Sequence, residues 1–250
     1  MTDKTNHTSL ANKRVLVTGG TTGIGRALVK MLVEEGARVL TFGRNQPELD
    51  DSLENARGGS GEALGLTADA STKEGVDRVF EEVDRQLGGL DILVCCAALG
   101  AQPLHEMKED DWRYVIETNL IGYMACARRA IKRMETSGGG QLAFVSSISS
   151  TIKAPGESVY TATKAGIDAF AETLRKEISE EKNIKISVIQ PGSVGTDMQE
   201  CSDEEKREAI ANHEMLYAEE LAETIVFALT RSPRTDVVTL RVEPRVQKTS

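Results

Sequence analysis

Short apolar runs alternate with longer stretches of helical spacing along almost the whole chain. Val15-Leu16-Val17 reads as a first strand, and the stretch 26–35 that follows carries Ala27, Leu28, Met31 and Leu32 at the spacing of one helical face. Gly36 stands where a left-handed residue ends a helix. Further strands are expected over 39–42, 64–67, 92–94, 142–145, 184–189 and 237–242, with helices over 76–87, 110–134, 158–180 and 219–230. Asp110 or Asp111 is the expected N-cap of the second of these helices. Strands one, four and five are nearly all apolar, as burial on both faces requires. Strand and helix in alternation predict an α/β fold: a doubly wound, mostly parallel sheet of about seven strands covered by helices on both faces.

At 250 residues the chain fits one such domain, expected over 13–250, with residues 1–12 and the last few residues disordered. The glycine clusters at 58–61 and 138–140 read as flexible surface loops, and 202–208 as a solvated helix. Acidic residues number 39 against 30 basic ones, so the net charge of −9 argues against a nucleic-acid coat. No apolar run approaches the length that spans a membrane, and the first dozen residues are polar, so a cytoplasmic protein is expected. The four cysteines include no CxxC pair and the three histidines lie far apart, so no metal site is expected.

Two constellations carry chemistry. The first is Thr18-Gly19-Gly20-Thr21-Thr22-Gly23-Ile24-Gly25, between strand one and the first helix. Glycines let the backbone turn tightly and approach a pyrophosphate, and the helix N-terminus offers free N–H groups and partial positive charge. A lysine-containing phosphate loop is excluded, because no Gly-Lys-Ser/Thr follows. The second is Tyr160 with Lys164, four apart and so on one helical face. A free phenol titrates near ~10, and a neighbouring ammonium lowers that towards the range useful for acid–base work. Ser147 lies just past strand five, where a parallel sheet presents its ligand-facing end, and its hydroxyl is placed to hold a carbonyl oxygen. Alone, Tyr160 and Lys164 would read as a surface pair; together with the glycine turn and Ser147 they read as a catalytic pair.

On these residues the sequence resembles a short-chain dehydrogenase/reductase, from Lys13 to about Val242. The family's T-G-x-x-x-G-x-G appears as Thr18 to Gly25 and its Y-x-x-x-K as Tyr160 to Lys164. Its serine matches Ser147, its helix asparagine Asn119, its acid after strand three Asp69, and its P-G motif Pro191-Gly192, with Thr196 beyond. The resemblance implies a single-domain Rossmann fold and hydride transfer between a nicotinamide and a carbonyl or alcohol. Tyr160 would donate the proton, Lys164 would bind the ribose, Ser147 would polarise the carbonyl, and Asn119 would hold a water linking Lys164 to solvent. The implied cofactor contacts are Gly19, Thr21, Thr22, Gly23, Ile24 and Gly25 at the turn, Arg44, Asp69 and Ala70 after strands two and three, Ala97 after strand four, Tyr160 and Lys164, and Pro191, Gly192, Val194 and Thr196 after strand six. Asp69 would meet the adenine and Thr196 the carboxamide.

NADP(H) is the expected coenzyme. An NAD enzyme places a carboxylate at the end of strand two; here that position holds Gly43, followed by Arg44, whose guanidinium suits a 2′-phosphate. Two features depart from the family. Cys95-Cys96-Ala97-Ala98 replaces N-N-A-G, which removes the asparagine's hydrogen bonds and would make a positive φ costly at Ala98. Inert thiols at a repacked strand end are expected, with a reactive thiol near the nicotinamide as the competing reading. The C-terminus, 237–244, lacks the glycine-rich ending of relatives. Apolar residues on more than one face of the helices 110–134 and 158–180 predict a homo-oligomer, a tetramer or a dimer. The alternative function is a nucleotide-binding sensor or scaffold without turnover; the presence of Tyr160, Lys164, Ser147 and Asn119 favours the enzyme. A methyltransferase would share the turn but has no use for Tyr160 and Lys164.

Overall fold

The computed structural model describes residues 7–199 and 201–248. Seven strands, β1 (Arg14–Thr18), β2 (Arg38–Gly43), β3 (Glu62–Thr67), β4 (Ile92–Cys95), β5 (Gly140–Val145), β6 (Ile184–Pro191) and β7 (Thr239–Val242), form one sheet in the order β3-β2-β1-β4-β5-β6-β7. Every neighbouring pair runs parallel. Alternate residues of a strand face opposite layers, so two cores form. Val15 and Val17 pack with Leu28 and Leu32 of helix α1 (Gly23–Glu34) and Leu221 and Ile225 of a later helix (Ala218–Leu229), whereas Leu16 faces the opposite layer, with Val79, Ala127 and Ile167. Truncating one such buried leucine to alanine costs about 2–5 kcal/mol. The chain reverses its direction of travel across the sheet between β1 and β4, and the crevice there, at the carboxyl ends of the strands, is where doubly wound sheets bind ligands.

The remaining helices are α2 (Gln46–Asn55), α3 (Lys73–Glu82), α4 (Glu109–Ile116), α5 (Gly122–Thr136), α6 (Ser149–Ile152), α7 (Ser158–Lys182), α8 (Asp203–Ala211) and α9 (Ala218–Leu229). The helix expected over 110–134 is α4 and α5 joined through one π-helical turn, Glu117–Ile121. Its N-cap is Lys108 rather than Asp110 or Asp111, which lie in the first turn, where their charges oppose the positive end of the helix. The helix expected over 76–87 starts earlier, as α3, capped by Thr72, and ends in a second π turn, Val83–Leu87. Helices α2 and α6 carry too weak an apolar pattern to be read from sequence; α2 buries only Leu49 and Ser52.

The expected terminal disorder is corrected within the described residues. Leu10 is fully buried, Thr8 N–H donates to the Thr230 carbonyl and Asn12 N–H to that of Gly36. Residues 1–6 and 249–250 lie outside the described residues. Each glycine cluster has a main-chain tie at its end. Gly61 N–H donates to the Val33 carbonyl, and Gly140 opens β5, with its N–H on the Asn183 carbonyl. No helix among the described residues is long and apolar enough to cross a membrane.

Candidate active site

The glycine turn joins β1 to α1 under steric constraint. Gly19 has φ +66°, and a Cβ there would lie 2.6 Å from the Ala97 Cα. A Cβ at Gly25 would collide with the Gly19 carbonyl oxygen. Thr22, the N-cap of α1, makes no side-chain cap, and the first turn carries no acid. The result is a cradle of free N–H groups and positive potential at a surface only glycine can leave open, which fits a pyrophosphate.

Ser147, Tyr160 and Lys164 meet beside the ends of β4 and β5. Lys164 is 1% exposed; its Nζ donates to the Val145 carbonyl at 2.9 Å and lies 5.5 Å from the ring centroids of both Tyr123 and Tyr160. Burial pulls its pKa down to about 8. Burial also pushes the Tyr160 phenol up to about 12, with the Ser147 hydroxyl acting in the opposite direction. The expected lowering of the phenol by Lys164 is therefore not found: loss of solvent raises it, and the Glu157 charge raises it further. Ser147 donates to Ser149 Oγ at 3.2 Å, and Ser149 donates to Glu157.

Asn119 sits inside the π turn, fully buried. Its Oδ1 accepts from Leu99 N–H and its Nδ2 donates to the Leu99 carbonyl, each at 2.8 Å. It thus steadies the chain after β4. There, Thr18 Oγ1 also accepts from the N–H groups of Cys96 and Ala97, each at 3.1 Å. Ala98 has no positive φ, so the expected strain does not arise. Burial pushes the Cys96 thiol up to about 12 and raises Cys95 well above its ordinary value, in keeping with inert thiols.

At the far end of the cleft Arg44 donates to the Tyr114 hydroxyl at 2.9 Å, and Tyr114 donates to Asp69 at 2.7 Å. Burial alone would raise the Asp69 carboxyl, but hydrogen bonds from Ser71 and Tyr114 and the Arg44 charge hold it below its usual value. A Cβ at Gly43 would come within 2.5 Å of the Thr21 side chain, so the position that holds an acid in NAD enzymes is closed.

One cleft of about 1170 Å³ joins these parts. It exceeds the roughly 300–1,000 Å³ of ordinary ligand pockets, as a dinucleotide with a substrate beside it requires. Gly19, Thr21, Thr22, Gly23, Ile24, Gly25, Arg44, Asp69, Ala70, Ala97, Ser147, Tyr160, Lys164, Pro191, Gly192, Val194 and Thr196 all line it. Asn119 stands behind its wall. Sequence reading missed Gln247, which lines the cleft, and Tyr114, which stands behind its wall and holds Arg44 and Asp69: neither stands in a local pattern, and packing brings both into place.

The short chain dehydrogenase family model matches residues 13–207. The chain is 36% identical over 191 residues to the 3-oxoacyl-[acyl-carrier-protein] reductase FabG of Chlamydia pneumoniae, covering 76% of this chain and 77% of that protein. It is 32% identical over 188 residues to carbonyl reductase family member 4 of Danio rerio, covering 75% and 78%. An NADPH-bound actinorhodin polyketide ketoreductase superposes with a TM-score of 0.83 at 25% identity, over 95% of this chain and 98% of that one. A dehydrogenase/reductase from Sinorhizobium meliloti gives 0.83 at 27% identity, over 94% and 96%. With that match along most of its length, and with the parallel seven-stranded sheet, the chain belongs to the short-chain dehydrogenase/reductase family, oxidoreductases that bind a nicotinamide cofactor and act on small-molecule substrates.

Proposed function

We propose that the protein is an NADP(H)-dependent oxidoreductase that interconverts a carbonyl and an alcohol, with Tyr160 as its general acid and base. The observation that carries this reading is the buried Lys164 ammonium beside the Tyr160 ring, in the same cleft as the glycine turn. The cofactor, when bound, supplies or accepts the hydride. Everything else falls to the chain. The glycine turn and the N-terminus of α1 bind the pyrophosphate. Lys164, with one of its three donors on Val145, keeps two for the ribose hydroxyls. Ser147 turns its hydroxyl from Ser149 to the substrate oxygen. At neutral pH a phenol held near 12 is protonated, the form needed to pass its Oη proton to a carbonyl oxygen during reduction. Asn119 positions the main chain at Leu99.

NADP(H) over NAD(H) rests on Arg44 and on the closed Gly43 position, and the NADPH in the ketoreductase neighbour supports the same choice. Reduction of a carbonyl is the activity named for both curated relatives. Assembly into a dimer or tetramer through the outer faces of α4, α5 and α7 fits the 44% exposure of Ile121 and the exposed Ala169; a sedimentation run that finds only monomer at micromolar concentration would refute it.

The decisive experiment follows NADPH oxidation with a panel of carbonyls. Wild type turns over at least one; Tyr160→Phe lowers kcat by about 10²-fold or more while NADPH binding persists. Near-normal turnover in the phenylalanine variant would remove Tyr160 from the chemistry, and binding without turnover in wild type would favour the sensor.

A further inference from the structure

We infer that Gln247, in the C-terminal tail, is a positioning residue for the nicotinamide end of the cleft, a role that rests on the cofactor reading above. The loop after β6, Gly192 to Thr196, has little to hold it locally. It leaves the sheet at Pro191 and lines the cleft through Ser193, Val194 and Thr196. It is anchored at Gly195, whose N–H donates to the Leu216 carbonyl at 3.0 Å, and at Ser193, and the partners of both come from far along the chain. The Ser193 N–H donates to Gln247 Oε1 at 3.0 Å, Gln247 Nε2 donates to Ser193 Oγ at 3.0 Å, and the Ser193 carbonyl accepts from Leu216 N–H at 2.9 Å. One side-chain amide therefore grips both the main chain and the side chain of a single loop residue.

The tail is set for this grip. Gly192 N–H donates to the Val242 carbonyl at 2.7 Å, and a Cβ on Gly192 would strike Gln247 Oε1 and come within 2.9 Å of Pro244. Pro244 is buried, and Gln247 is half-buried between the exposed Val246 and Lys248. On its other side the tail is tied to the stretch after α8: Val246 N–H donates to the His213 carbonyl at 2.9 Å, and Lys248 Nζ pairs with Glu214 at 2.6 Å. Gln247 and Lys248 themselves line the cleft. Removing the amide leaves Ser193 N–H without its acceptor and loosens the loop at Ser193, with Leu216 still holding it through Ser193 and Gly195. The adenine end, built on Arg44, Tyr114 and Asp69, has no contact with this tail among the bonds described.

The test compares wild type with Gln247→Ala, Gln247→Glu and Ser193→Ala, using NADPH and the half-ligand 2′,5′-ADP as probes. Two lost hydrogen bonds should raise the NADPH Kd about 5- to 30-fold in Gln247→Ala. Binding of 2′,5′-ADP should stay within about twofold, since that probe lacks the nicotinamide. In Gln247→Glu one oxygen still accepts from Ser193 N–H and the other accepts from its hydroxyl, so NADPH affinity should return to within about threefold of wild type. Ser193→Ala, which keeps the main-chain bond, should fall between. Amide hydrogen exchange without ligand should be faster at Ser193 in Gln247→Ala only. Equal losses for both probes, no loss for either, a glutamate variant as defective as alanine, or unchanged exchange at Ser193 would each overturn the assignment. The exchange measurement needs no cofactor: wild type that protects Ser193 but binds no NADPH would defeat the NADP(H) reading and leave the clamp standing.

Discussion

The two loops that face each other across the cleft are held by opposite means. The turn from Thr18 to Gly25 is shaped by its own backbone, because Gly19 and Gly25 pack where no side chain fits. The loop from Gly192 to Thr196 has its position assigned by Gln247 and Leu216, residues that reach it only once the sheet is complete. A motif can therefore announce the first loop, while nothing local announces the second. The same division runs through the far end of the cleft, where Arg44, Asp69 and Tyr114 arrive from the ends of β2 and β3 and from α4.

If the turn is set by sterics, Gly25→Val should abolish binding of NADPH and NADH alike, because the branched side chain meets the Gly19 carbonyl directly. Measurable affinity for either coenzyme in a folded variant would show that the turn gives way and would break the contrast. Arg44→Ala should act on one coenzyme only. A charged hydrogen bond is worth roughly 1.5–3 kcal/mol, so kcat/KM for NADPH should fall about 10- to 150-fold while that for NADH holds. Unchanged discrimination would show that Arg44 does not read the 2′-phosphate.

Lys164 supplies a third test. Burial has lowered its pKa to about 8, so the ammonium proposed to bind the ribose is lost as pH rises through that value. In free enzyme the profile of kcat/KM for NADPH should descend above pH 8, reaching about tenfold one unit higher. Stability should move the other way. Between pH 8 and 10.5 the unfolded lysine binds more protons than the folded one, so the penalty for a buried charge is present below pH 8 and relieved as pH rises. The Tm of wild type relative to Lys164→Met should climb across that window; a flat difference would mean that the ammonium carries no burial penalty. The smallest effect is expected for Tyr114→Phe, which frees Arg44 from one hydrogen bond and should change the NADPH to NADH preference by about threefold. No change in the ratio of kcat/KM values would show that Tyr114 does not orient Arg44.

The sequence by itself determined the α/β alternation, the direction of the strands, the glycine turn and the Ser147, Tyr160 and Lys164 set. Each depends on short-range rules: apolar periodicity, the steric demand for glycine, and the four-residue repeat that puts Tyr160 and Lys164 on one face. Helix α2 and the two π turns were not legible, because a weakly amphipathic surface helix and one extra residue in a helical turn leave no periodic mark. The protonation of the pair was misjudged for a related reason. Proximity to Lys164 can be read from spacing, but the loss of water that raises Tyr160 to about 12 depends on what the rest of the chain packs around it. Likewise, Leu10 and Gln247 looked like parts of loose ends. Only the folded chain brings Leu10 into the core beside α1 and Gln247 onto Ser193, since burial and hydrogen bonding between segments far apart in sequence exist only after the sheet has closed the distance between them.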